Sequence, residues 1–190
     1  MLPDAYRALA LKRSSTRWNG YNQPEDFGYD FREWVSPYTK GAHVMGHFAL
    51  VLQDWSSEDT LKAGVNPDVQ ELGRTRSLRT NIRLERLLCS VLGISFEETY
   101  ATNIFPFIKP GGISASIPKR DVLQAALAFA KLELEIVNPT QILALGKMPS
   151  IVMKEIGVQC VCLPHPAHRG YSFEEHQRIW DRLLGGHSSV

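Results

Sequence analysis

The chain has 190 residues, of which 44% are hydrophobic and 22% charged, and a formal net charge of +1. That is enough chain for one domain with a full hydrophobic core, and the near-neutral charge excludes a general polyanion binder, so any basic surface must be local. No run approaches the roughly eighteen apolar residues of a membrane span, and "MLPDAYRALALKRSS" has charges inside its apolar stretch, unlike a signal peptide.

Residues 4–13 read as a short helix. Trp18, Tyr21, Phe27, Tyr29, Phe31, Trp34 and Tyr38 follow, set among Gly, Pro and Asp; they predict an irregular segment packed on the core, with no catalytic role. A first strand is expected over 47–53. The breakers "SSED", Gly64, "NPD" and Gly73 make 54–74 a loop. Leu78, Ile82, Leu84, Leu87, Leu88 and Val91 supply the apolar side of a helix over 77–92. Strand two, 99–104, runs into the long loop "FPFIKPGGISAS". Ser116 as N-cap and Pro118 in the first turn predict a helix that continues to Val137. A third strand over 141–146, a short helix over 149–156 and a fourth strand over 158–163 come next. Ser172 and Glu175 form a capping-box pattern that opens a last helix through Leu184, and the tail "GGHSSV", 185–190, is expected to fray.

Strands alternating with helices predict one α/β domain, a three-layer α/β/α sandwich around a central four-stranded parallel sheet. Cys89, Cys160 and Cys162 are an odd set inside apolar segments, which reads as buried reduced thiols in a cytoplasmic protein.

Three apolar runs stop at polar residues suited to chemistry. "FALVLQD" ends at Asp54, "YATN" at Asn103 and "VQCVCLPH" at His165. Ligands of open parallel sheets bind beyond the carboxyl ends of the strands, so an acid, an amide and an imidazole are expected to converge on one pocket. Asp54 suits holding a water or balancing a cationic transition state, and equally a turn or helix cap. Asn103 offers a donor and an acceptor to the edge of a planar base, or ties its own loop. His165 lies between two prolines that fix its aim and can donate to a developing oxyanion.

In order and spacing, from about residue 47 to 184, these segments resemble the uracil-DNA glycosylase superfamily. "VLQD", 51–54, resembles its first motif, "TNIFPFIKPGG", 102–112, its second-strand segment, and "LGKMP" with "LPHPAHRG" its third strand and closing His-Pro motif. The resemblance implies excision of a flipped-out uracil: Asp54 places the attacking water, His165 stabilises the anionic base, Asn103 reads the base edge and Gln53 borders the pocket through its backbone. Leu52 stands where the family usually has Gly, and Trp55 where many members have Pro. Trp55 is then a candidate to stack on the base or exclude the thymine methyl, with Ser56 the other candidate gate; Phe105 is a further aromatic near the base. The family's iron–sulfur branch needs four cysteines and this chain has three, so no cluster, metal or other cofactor is expected.

DNA is the expected partner of a monomer, with Arg74, Arg76, Lys109, His168 and Arg169 in the loops that would meet it. Arg79, Arg83 and Arg86 share a helix face that reads as solvated surface or as a phosphate contact beside the pocket, the plain surface being favoured for Arg83 and Arg86. Cys160, Cys162, His165 and His168 form a C-x-C-x2-H-x2-H string without a standard finger spacing, and His43 with His47 is a weaker pair still. Three other readings stay open: a different deaminated base such as hypoxanthine, a glycosylase-like module that binds DNA or a nucleotide without cleaving it, and an unrelated small-molecule hydrolase on the same layout.

Overall fold

Four apolar stretches pair as parallel strands, in the order β2-β1-β3-β4, in a computed structural model that describes residues 2–185. Of the tail expected to fray, 186–190 lie outside the described residues. In chain order the elements are α1 (Asp4–Ser15), β1 (Phe48–Asp54), α2 (Glu58–Leu61), α3 (Pro67–Leu72), α4 (Arg79–Leu87), β2 (Tyr100–Phe105), α5 (Lys119–Ala125), α6 (Lys131–Val137), β3 (Gln141–Leu145), α7 (Lys147–Glu155), β4 (Val161–Leu163) and α8 (Phe173–Leu184). One π-helical turn, Leu88–Leu92, extends α4, and another, Ala126–Ala130, joins α5 to α6.

The sheet is covered on both faces, as the apolar alternation of its strands requires. Ala49 and Val51 of β1 join Tyr100, Ile104 and Ala144 beneath α1, α5, α6 and α7. Leu50 and Leu52 join Ala101, Leu143, Leu145 and Leu163 beneath α4 and α8. Strand order reverses beside β1, with β2 on one side and β3 on the other, and this switch point is where a crevice opens in such sheets.

Several boundaries differ from expectation for local reasons. Residues 54–74 hold two short helices, because Asn66 caps α3 by accepting from the Asp68 amide at 3.0 Å and Pro67 fits the first turn. Pro118, not Ser116, occupies the N-cap position of α5, and no side chain caps it. The fourth strand has only three residues and lies at the sheet edge, so Cys162 is exposed; Cys89 is exposed as well. Cys160 is half-buried, and burial with Cys162 beside it pushes its thiol up to about 12. Leu78 and Ile82 are 48% and 47% exposed, and the inner side of α4 is carried by Leu84 and Leu87.

The aromatic-rich segment does pack on the core, and buried Arg13 is its anchor. Arg13 pairs with Glu25 at 2.9 Å and donates to Gln23 and to the carbonyls of Phe31 and Trp34. One guanidinium thus satisfies several acceptors of a segment that has no sheet or long helix to do so.

Candidate active site

Beyond the carboxyl ends of β1 and β3 lies a cavity of about 710 Å³. Leu52, Gln53 and Asp54 enter it from β1, Leu145 and Gly146 from the end of β3, Lys147 to Pro149 from the first turn of α7, and His165 from the loop after β4. Lys109 and Ile113 to Ser116 form the wall contributed by the loop after β2. Tyr38, Trp55, Leu78 and Ile113 border both this cavity and a second one of about 550 Å³, lined also by Tyr29, Ser56, Thr75 and Asn81.

Asp54 is largely buried, and its Oδ2 lies 2.8 Å from the Lys109 ammonium. Lys109 is 3% exposed and also donates to the Ile113 carbonyl at 2.7 Å. It therefore faces inward, not out towards DNA as a loop lysine is expected to. Its stem lies under the polypeptide because the loop after β2 is fastened to the one after β1: Ser57 bridges to Lys109 as a parallel pair, and Glu58 N–H donates to the Lys109 carbonyl at 3.0 Å.

His165 is held from three sides. The Ala167 amide donates to its Nδ1 at 3.2 Å, which leaves the proton of the neutral ring on Nε2. Burial lowers its pKa, with the Asp54 carboxylate opposing the shift and His168 and His176 adding to it. Its own carbonyl lies 2.9 Å from Nε2 of His176, a buried residue of α8 whose Nδ1 lies 3.0 Å from the Ser172 carbonyl. Gly146 makes room for the ring. It adopts φ +107°, and a Cβ there would stand 3.3 Å from the His165 Cβ. The site thus presents a carboxylate with one oxygen already engaged and a neutral imidazole as a donor.

Asn103 and Phe105 are not part of the cavity wall. Strand β2 continues to Phe105, and every one of its residues is buried. Asn103 is 1% exposed and accepts from the Ser36 hydroxyl at 2.5 Å, while its Nδ2 has no partner. It pairs in register with Leu52, so both side chains project from the same face, and of the two only Leu52 lines the cavity. Phe105 is a core residue, packed on Tyr21 and Phe107 at ring distances of 4.8 and 5.6 Å. Trp55 does border the cavity. Its Nε1 donates to the Gly73 carbonyl at 2.7 Å and its ring meets Tyr29 and Phe31 edge-on, so it is a fixed part of the wall. Ser56 is buried and opens on the second cavity instead.

Among the cations, Arg74 is corrected to a structural role. It is 2% exposed, pairs with Glu97 and lies over the Phe96 ring at 4.1 Å. The cause is Gly73, where a Cβ would stand 1.5 Å from the Pro37 carbonyl oxygen, so the chain turns tightly inward there. Arg76, His168 and Arg169 are exposed. Two arginines read as plain surface touch the His165 loop and its helix: Arg83 donates to the Pro166 carbonyl at 3.4 Å and Arg86 stacks on Phe173 at 4.0 Å. Tyr38, Leu78, Lys147 and His176 were not singled out for the site in the sequence. Tyr38 comes from the irregular aromatic segment, where position alone carries no signal; its hydroxyl donates to Asn81 at 3.0 Å and burial pushes its pKa up to about 12.

Among the described residues no three His, Cys, Asp or Glu side chains gather as metal ligands would. No helix there is long and apolar enough to cross a membrane. No family model matches the chain, and no curated protein matches it in sequence.

Proposed function

We propose that the chain is a DNA glycosylase of the uracil-DNA glycosylase type, working as a cytoplasmic monomer that hydrolyses the N-glycosidic bond of uracil or a related deaminated base. The observation that carries this reading is that Asp54, at the end of β1, and His165, in the loop after β4, line one cavity with complementary chemistry. A base must leave the stack before its glycosidic bond can be reached, and a cavity of about 710 Å³ has the volume to receive one. As the bond between C1′ and the base nitrogen breaks, its electron pair goes to the base. His165 Nε2–H donates to the oxygen on which that charge gathers. Asp54 holds a water against C1′, where an oxocarbenium-like centre develops, and the new C1′–O bond completes hydrolysis with the water's proton passing on towards the departing base. Arg76, His168 and Arg169 are exposed and close in sequence to cavity-lining Leu78 and His165, which suits them to phosphate contacts.

One observation favours a second reading, a module that binds DNA or a nucleotide without cleaving it. Asn103 engages Ser36 and does not line the cavity, so the amide that would read a uracil edge is missing from its wall. End-labelled oligonucleotides carrying one uracil, hypoxanthine or mismatched thymine, treated with alkali after incubation, separate the two. Strand scission at one base that collapses in Asp54→Asn supports excision and names the base. Retention of DNA in a gel shift without scission at any base supports the binding module.

A further inference from the structure

We infer that Lys109 is a positioning residue for Asp54: its ammonium holds Oδ2, fixes the carboxylate's rotamer and leaves Oδ1 as the oxygen that faces the cavity. The kinetic consequence of this rests on the excision reading above; the pairing itself does not.

Three features of the chain converge on this role. Asp54 is the last residue of β1, paired in register with Phe105, and the ladder fixes its backbone but not its side-chain χ angles. A carboxylate at such a position has free χ angles unless something holds it, and a misplacement of an ångström at a reacting group is costly. Lys109 supplies the restraint from a rigid base, since the loop carrying it is hydrogen-bonded to the segment that follows Asp54, through Glu58 N–H to the Lys109 carbonyl and Asp59 N–H to the Gly111 carbonyl at 3.1 Å. The ammonium then spends its donors inward, 2.8 Å from Asp54 and 2.7 Å from the Ile113 carbonyl. Among the described residues it is the one cation within salt-bridge distance of Asp54.

The same contacts argue against a phosphate-binding role. A lysine serving DNA needs its head in solvent, and this one is buried against two fixed oxygens. They also set the division of labour in the site. The ammonium neutralises much of the Asp54 charge, so Asp54 contributes chiefly by orienting water rather than by opposing a carbocation at a distance. The Ile113 contact means that one side chain sets both the carboxylate and the start of the wall formed by Ile113 to Ser116.

The test compares Lys109→Gln and Lys109→Arg, each alone and in the Asp54→Asn background, by kcat and KM on the preferred oligonucleotide. Lys109→Gln is expected to lower kcat roughly a hundredfold while KM stays within about threefold, and Lys109→Arg to recover at least about tenfold of that loss. On Asp54→Asn, Lys109→Gln should change kcat by less than about threefold, because the residue acts through the carboxylate. A rise in KM with kcat unchanged, or equal losses in both backgrounds, overturns the inference. A separate measurement needs neither activity nor a folded Lys109 variant. A slowly exchanging lysine ammonium resonance is expected by NMR in the wild-type protein and should be lost in Asp54→Asn. Its absence from the wild type overturns the pairing. A wild type that shows the resonance but releases no base supports the pairing while rejecting the excision reading.

Discussion

Two carboxylates of this fold, Glu133 fully buried and Asp54 partly buried beside a cavity, have surroundings that differ in the way a working acid would differ from an architectural one. Glu133 of α6 accepts hydrogen bonds from Tyr100, Thr102 and Thr39, at 2.5, 2.6 and 3.4 Å. Its neighbours are three hydroxyls whose protons it uses. Asp54 has one cationic partner and a cavity on its other side. Burial alone does not mark a working acid. What singles out Asp54 as the proposed acid is a remaining acceptor with somewhere for a small molecule to sit.

The comparison breaks most visibly if the imidazole partner of Asp54 proves dispensable. His165→Ala is expected to lower the excision rate roughly a hundredfold to a thousandfold, as loss of one donor to a developing oxyanion does, with DNA retention in a gel shift little changed. Equal activity in the variant would remove the imidazole from the chemistry.

Glu133 sharpens the other side of the comparison through pH. Burial raises its pKa to about 7, against the hydroxyl hydrogen bonds that lower it. The folded state therefore holds a proton that the unfolded chain has released, from the ordinary glutamate value of 4.5 up to about 7. Stability falls as pH rises through that window and levels off above it. Chemical denaturation at pH 4.5 and at pH 8 should show the wild type losing on the order of 3 kcal/mol relative to Glu133→Gln. A parallel pH response of the two proteins would mean that Glu133 is not a strained buried acid.

Leu52 gives a smaller effect that bears on the base. Because Leu52 pairs with Asn103, and Asn103 Nδ2 has no partner, Leu52→Ala should open the amide to the cavity. One added hydrogen bond to a uracil edge corresponds to about a fivefold fall in KM, and the gain should vanish in the double variant with Asn103→Ala. Smallest of all are the exposed cations. Arg76→Ala and Arg169→Ala should each reduce the salt slope of DNA binding by about one while leaving base preference alone. Arg74→Ala should instead lower stability, because Arg74 pairs with Glu97 inside the fold.

Sequence patterning made the frame of the site legible. The parallel sheet followed from strands alternating with helices, and Asp54 and His165 stood out because apolar runs stop at them. The extent of β2 was legible to within one residue, 99–104 against Tyr100–Phe105, but the partners of its last residues were not: Asn103 accepts from Ser36 inside the fold and Phe105 joins the core. Loop direction was not legible at all. Lys109 and Arg74 look like loop cations in a string of letters, yet the fastening of Lys109 to Ser57 and the tight approach of Gly73 to Pro37 turn both inward. Tyr38 was missed for a related reason, since an irregular aromatic segment gives no period from which to choose the ring that reaches a cavity.

The most direct measurement is the single-turnover excision rate of Asp54→Asn and of Glu133→Gln, side by side on one uracil-containing oligonucleotide. Asp54→Asn should lose roughly a hundredfold to ten-thousandfold while still retaining DNA, and Glu133→Gln should stay within about threefold of the wild type, as expected of a group outside the chemistry. Equal losses in the two variants, or an unimpaired Asp54→Asn, would contradict the assignment of the chemistry to the cavity at the carboxyl ends of the strands.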